Sequence, residues 1–130
     1  MLAYGQPAGG VVLKYLFVLN DPPYGTERSY NGLRLARELL KDAAKGNSVR
    51  VFLVADAAAC AKSGQKIPQG YYHIESFLKM IVHAGGEIGV CATCMDARGI
   101  TDAELVDGTR RSTLAEWAEW TQWADKVLVF

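Results

Sequence analysis

"VVLKYLFVLN" (residues 11–20) is a run of valine, leucine and aromatic residues broken by a single lysine. A short apolar run of this kind reads as a strand buried on both faces. The next segment decides the type of sheet. "DPPYGTERSYNGLRLARELLKDAAKG" (21–46) opens with two prolines and Gly25 in a turn and offers Thr26 as a helix cap. It then spaces Leu33, Ala36, Leu39, Leu40 and Ala43 at helical intervals up to a stop at Gly46. "SVRVFLVAD" (48–56) is a second strand with a continuous apolar centre.

The alternation continues outward from this unit. "AAACAKSGQKIPQGYYH" (57–73) reads as a mobile loop with a short helical turn at its start, a candidate lid. "YHIESFLKMIVHAGG" (72–86) is a second helix with Ile74, Phe77, Leu78, Ile81 and Val82 on one face, and "EIGVCAT" (87–93) is a third strand. Asp96, Ala97 and Arg98 open a short helix that Gly99 ends, and "TDAELVDGT" (101–109) holds another helical turn and a brief fourth strand. "STLAEWAEWTQWAD" (112–125) is an amphipathic helix and "KVLVF" (126–130) a last strand. Doubly buried strands alternating with helices predict an α/β fold. The expected form is a flavodoxin-like, doubly wound, mainly parallel five-stranded sheet with helices on both faces. Residues 1–10 are expected to form a flexible N-terminal arm and 11–130 a single domain.

Composition excludes several classes of function. Lys and Arg together number 14, as do Asp and Glu, so no basic surplus attracts nucleic acid. No apolar run reaches the roughly 20 residues that span a bilayer, so no membrane partner is expected. The start carries neither the charged nor the long apolar region of a signal peptide. Three cysteines, two of them three apart, do not make a disulfide scaffold. A cytoplasmic location is therefore expected. No glycine-rich phosphate loop is present and Gly9-Gly10 lies on the wrong side of the first strand for one, so no cofactor is expected.

In a doubly wound sheet, ligands sit beyond the carboxyl ends of the strands. The loops at 20–26, 56–71 and the one carrying Cys91 and Cys94 belong there. Both cysteines stand at a strand-to-helix junction, where helix N–H groups favour a thiolate. Four readings are open for this C-x-x-C pair: a dithiol redox couple, part of a metal site, a persulfide-bearing nucleophile with a neighbour, or two buried small residues. The thioredoxin arrangement fits poorly, since the pair comes late and no proline occurs after Pro68. Zinc needs four ligands, and the ten-residue spacing of His73 and His83 is not a ligand spacing, so no metal is expected within one subunit. Cys60 reads as a packed residue. Asp21, Tyr24 and Thr26 share the sheet edge of Cys91, where Tyr24 can close over the sulfur. Arg98 either lowers a thiol pKa or pairs with a surface carboxylate. Trp117, Trp120 and Trp123, three apart, fan across about 120° of the last helix, and Leu114 widens the stripe. This stripe is either a subunit interface or an unusually aromatic core face.

"GVCATCMDARGI" (89–100), with Thr101 and Asp102 after it, resembles the DsrE/DsrF-like family with its YchN-like and TusD-type branches. "NDPPYGTERSYNGLRLARELL" (20–40), "VRVFLVADAA" (49–58) and "ADKVLVF" (124–130) are similar to its first turn and helix, second strand and last strand. The resemblance runs from Val12 onward. It implies a flavodoxin-like fold, a homotrimer or homohexamer, and sulfur relay with a donor or acceptor protein. In the relay members the persulfide-bearing cysteine stands eight residues before the glycine of an Arg-Gly pair, which carries that role to Cys91. Cys94 matches the YchN-like branch and permits a disulfide-forming, resolving role.

Overall fold

The computed structural model describes residues 11–130. The arm expected at 1–10 lies outside the described residues. The chain order is β1 (Lys14–Leu19), α1 (Arg28–Leu40), β2 (Ser48–Leu53), a 3-10 helix (Ala55–Ala61), α2 (Ile74–His83), β3 (Glu87–Cys91), α3 (Ala92–Ala97), β4 (Thr109–Ser112), α4 (Leu114–Trp123) and β5 (Lys126–Val129). The five strands form one sheet in the order β4-β3-β2-β1-β5. Every pairing is parallel, with Phe17 opposite both Val51 and Leu128, Val51 opposite Ile88, and Cys91 opposite Ser112. The doubly wound parallel sheet expected from the sequence is the observed fold.

Side-chain alternation along the strands divides the core in two. Phe17, Leu19, Val51, Leu53 and Ile88 point to one face, where Leu33 and Ala36 of α1 and Leu78 and Ile81 of α2 cover them. Leu16, Val18 and Phe52 point to the other, where Trp120 of α4 covers them. Among the described residues, α1 and α2 therefore shield one face and α4 the other. Arg50 sits inside β2 without a buried-charge penalty because its guanidinium has three partners. Nε donates to Glu87 Oε2 at 3.0 Å, and the plane lies 3.9 Å from the Trp123 ring centroid and 5.4 Å from that of Trp120.

The tryptophan stripe is accounted for within the chain. Trp120 is buried, Trp117 stacks on Phe52 at 5.0 Å between centroids, and Trp123 lies under Arg50. Leu114, the residue that widens the stripe, is 74% exposed.

Several local readings move. Helix α1 starts at Arg28 with Glu27 at the N-cap position in a left-handed φ of 65°, and the Thr26 hydroxyl donates to Asp21 Oδ2 at 2.7 Å while accepting from the Arg28 N–H at 3.4 Å. The helical turn expected at the start of the 57–73 loop is a 3-10 helix that begins two residues earlier, at Ala55, and buries Ala57, Ala58, Cys60 and Ala61. It is tied further along, where Ser63 N donates to Glu104 O at 2.8 Å and Gly64 N to Glu75 Oε1 at 2.9 Å. The fourth strand begins at Thr109, where the expected one ended.

Candidate functional site

Cys91 is the last residue of β3 and the N-cap of α3. The helix starts four residues earlier than its sequence suggests because the Cys91 sulfur does the capping, accepting from the Cys94 N–H at 3.4 Å. The Thr93 hydroxyl lies 3.3 Å from the same sulfur. Burial pushes the Cys91 thiol up. Hydrogen bonds from the Cys94 thiol, the Thr93 hydroxyl and the two backbone N–H groups outweigh it, and the net pKa lies below the ordinary thiol value.

Cys94, one helical turn on, is poised the other way. Burial, its hydrogen bond to Cys91 and repulsion from the Cys91 charge raise its pKa. They prevail over the lowering by the Ala55 N–H and by Arg98. The pair is thus asymmetric: Cys91 ionises first and Cys94 keeps the proton. Both are free thiols.

The Ala55 N–H reaches Cys94 Sγ at 3.1 Å, and it does so from a left-handed backbone, φ 55°. That conformation costs a non-glycine residue about 1–2 kcal/mol. It is held on both sides, by Val54 N donating to Leu19 O and Ala57 N to Val54 O, each at 3.0 Å. The adjacent Asp56 completes a clamp. Arg98 donates through Nε and Nη2 to Asp56 Oδ1 at 3.1 and 2.7 Å, and through Nη1 to the Cys94 carbonyl at 3.0 Å. Arg98 therefore pairs with a carboxylate, and the sulfur its charge acts on is not that of Cys91. The thiolate it favours is that of Cys94.

A cleft of about 430 Å³ opens beside the two sulfurs, lined by Phe52, Val54, Leu114 and Trp117 together with Thr93, Ser112 and Thr113. Its size lies within the range of small-molecule sites. Larger surface depressions elsewhere, such as the one between Tyr30 and Glu38, hold no cysteine.

The other expected residues go elsewhere. Tyr24 does not line the cleft. Its hydroxyl accepts from the Ile74 N–H at 3.1 Å, and its ring joins Tyr72 and Tyr71 at centroid distances of 5.3 and 6.1 Å. Asp21 receives Thr26 and, through its carbonyl, the Ser29 hydroxyl at 2.7 Å. Cys60 is buried with its thiol 3.6 Å from the Asp21 carbonyl, and burial pushes its pKa up to about 12, so it stays protonated and inert. His73 bonds Ser76 Oγ through Nδ1 at 2.7 Å, and His83 ends α2. No group of three or more His, Cys, Asp or Glu side chains that could hold a metal ion occurs among the described residues, and no helix there is long and apolar enough to cross a membrane.

Sequence reasoning missed Thr93, Ala55, Phe52 and Trp117 as parts of the site. Alternation within 51–53 carried a signal for Phe52, since it must face away from Val51 and Leu53. Nothing in the sequence marks Ala55, whose contribution is a backbone N–H in a conformation that alanine does not advertise.

The chain and its fold are similar to known proteins. Protein YchN of Escherichia coli K12 is 40% identical over 117 residues, which cover 90% of this chain and 98% of YchN. An uncharacterized protein of Methanopyrus kandleri is 30% identical over 126 residues, 97% of this chain and 99% of the relative. The crystal structure of the E. coli ychN protein superposes with a TM-score of 0.85 at 39% identity, covering 92% of this chain and all of that one. A Methanobacterium thermoautotrophicum protein of unknown function, at 14% identity and a TM-score of 0.67 over 91% of this chain and 99% of its own, shares the fold. The model of the DsrE/DsrF-like family matches residues 13–130. The chain belongs to the DsrE/DsrF-like family.

Proposed function

We propose that this protein is a cytosolic, homo-oligomeric carrier of sulfane sulfur. Cys91 accepts the sulfur as a persulfide and Cys94 is its resolving neighbour. The observation that carries the reading is the placement of Cys91: its sulfur caps α3, accepts from the Cys94 N–H at 3.4 Å with the Thr93 hydroxyl at 3.3 Å, and borders an open cleft with the Cys94 thiol one turn away. In the accepting step, the Cys91 thiolate attacks the terminal sulfur of a persulfide R–S–SH. A new S–S bond forms, the old one breaks, and RS⁻ leaves. No net oxidation occurs. Discharge has two routes. A partner thiolate takes the outer sulfur, or Cys94 attacks Cys91 Sγ, forming a Cys91–Cys94 disulfide and expelling the sulfur as sulfide, with an external dithiol then needed to reset the pair.

Reduced protein treated with inorganic disulfide (HS–S⁻), then mapped by peptide mass spectrometry, is expected to gain one sulfur atom at Cys91. The gain disappears in Cys91→Ser and persists longer in Cys94→Ser. A Cys91–Cys94 disulfide with free sulfide, and no retained persulfide in either form, would point instead to a dithiol reductase. No change at either cysteine in folded protein would leave a binding or assembly module without sulfur chemistry.

Oligomerisation is supported by the outer strand β5. Val127 and Val129 point to the α4 side beside Leu16 and Val18, and they are 43% and 66% exposed on a strand whose far edge is unpaired among the described residues. Sedimentation equilibrium is expected to return three or six times the 14.2 kDa protomer mass. A monomer mass at micromolar concentration would refute this part, and Val127→Glu with Val129→Glu should lower the mass if β5 forms the contact.

A further inference from the structure

We infer that the cleft beside Cys91 selects persulfides of small thiols with an uncharged, apolar carbon group, and discriminates against those carried on charged thiols. The inference rests on the persulfide reading of Cys91 and narrows it to a substrate class.

The lining supplies the first argument. Trp117, stacked at 5.0 Å on the buried Phe52, gives the cleft an aromatic face, and Val54, Leu114 and Cys91 line it as well. Apart from the two thiols, the lining contains no ionisable side chain among the described residues. A carbon group seated against Trp117, Val54 and Leu114 gains by burial, and a carboxylate or ammonium seated there gives up water for a lining whose other polar side chains are the neutral hydroxyls of Thr93, Ser112 and Thr113.

The second argument concerns the guanidinium groups on the neighbouring elements, which are already neutralised. Arg98 is held by Asp56 at 2.7 Å, and Arg111 donates through Nη2 to both oxygens of Asp96 at 2.9 and 2.8 Å, with Asp102 at 3.5 Å. Arg110 is clamped by Glu116, with Glu87 at 3.6 Å. The buried Ser112 hydroxyl in the lining is also committed to Glu116. Among these neighbours, no fork of uncommitted Arg donors is left to recognise an anionic thiol. The Cys91 thiolate adds a negative charge that repels such a donor further.

The exchange balances atom for atom. The carbon group R lies against Trp117, the Cys91 thiolate attacks the terminal sulfur of R–S–SH, and RS⁻ departs into the cleft mouth. The proton stays on the transferred sulfur.

Two donors with the same reactive group separate carbon-group selection from intrinsic reactivity. Benzyl hydropersulfide and glutathione persulfide are each reacted with the reduced full chain, and the rate of sulfur gain at Cys91 is measured by mass spectrometry. Both rates are divided by those measured with N-acetylcysteine. The normalised preference for the benzyl donor is expected to be about tenfold or more, as burial of a ring implies. Leu114→Lys, at a residue 74% exposed and so safe for folding, places a cation at the cleft mouth and should cut that preference severalfold by accelerating the glutathione donor. Trp117→Ala, checked for native circular dichroism, should cut it by slowing the benzyl donor. Equal normalised rates in the wild-type protein, with Cys91 modified by both donors, would overturn the apolar-cleft inference and leave the carrier reading intact. A preference that neither substitution alters would overturn it likewise. No modification of Cys91 by either donor would remove both.

Discussion

Phe52→Ala is expected to lower unfolding free energy by about 3–5 kcal/mol, the usual range for emptying a buried phenylalanine site. The ring is fully buried and forms the centre of the α4-side core. It stacks on Trp117 at 5.0 Å and meets Trp120 edge-on at 6.2 Å. Each such aromatic pair adds roughly 0.5–1.5 kcal/mol beyond area burial. The effect should sit at the top of the range because of the sheet's asymmetry. On the opposite face, α1 and α2 share the cover, so a cavity there has two helices to collapse into it. On this face the cover among the described residues is α4, and its anchors are the two tryptophans that touch Phe52. A domain of this size is stable by about 5–15 kcal/mol, so the variant should melt roughly 10–20 °C lower. Phe52→Leu keeps most of the volume and should cost under about 1.5 kcal/mol. Urea titration monitored by tryptophan emission measures both. A loss below about 1 kcal/mol in the alanine variant, short of the usual cost of such a truncation, would mean that α4 is held by something other than this aromatic stack.

The fold was legible because it rests on contrast between apolar and polar runs. The centres of β1 and β2, at 16–19 and 51–53, are uninterrupted apolar segments, and the observed strands bury them completely or nearly so. Where burial falls to small residues the contrast fails. Ala57, Ala58 and Ala61 sit in the core of a 3-10 helix, whose three-residue turn leaves no 3.6-residue period to detect. Arg110 and Arg111 of the edge strand β4 are exposed and held in ion pairs with Glu87, Glu116 and Asp96, so β4 carried little apolar signal.

The candidate site divided along similar lines. The two thiols were visible as residue types, and the alternation of strands and helices put them at the carboxyl edge of the sheet. Which of the two is the more acidic was not visible, since it depends on the backbone N–H of Ala55 and Cys94 and on a hydroxyl two residues along. Tyr24 was placed at the right sheet edge by the same topology, yet its side chain turns toward α2, because the free Ile74 N–H at that helix start needs an acceptor and finds its hydroxyl.

Removing the Cys94 thiol should shift the titration of Cys91 upward. In the intact protein the Cys91 pKa is depressed, with burial opposing and the Cys94 thiol, the Thr93 hydroxyl and backbone N–H groups prevailing. Cys94→Ala deletes the thiol donor and keeps the burial and the N–H at position 94. Alkylation by iodoacetamide, measured across pH, should therefore reach half its plateau below the usual value of about 8.5 for a free thiol in the wild-type protein, and at a higher pH in Cys94→Ala. Cys94→Ser retains a hydroxyl donor and should fall between the two, which separates hydrogen bonding from a change of shape. At neutral pH each unit of upward shift removes about tenfold of thiolate but raises its intrinsic nucleophilicity about threefold, for a net slowing of roughly threefold. Stability has the same sign. A depressed thiol pKa stabilises the folded state fully only above the unfolded value, and that contribution fades as pH falls through the folded one. The wild-type thiols titrate as a pair, so the single-cysteine variant is the form in which a midpoint belongs to Cys91 alone. An unchanged midpoint in Cys94→Ala would mean that the acidity of Cys91 comes from Thr93 and the backbone, and that Cys94 has no part in preparing the nucleophile it is proposed to resolve.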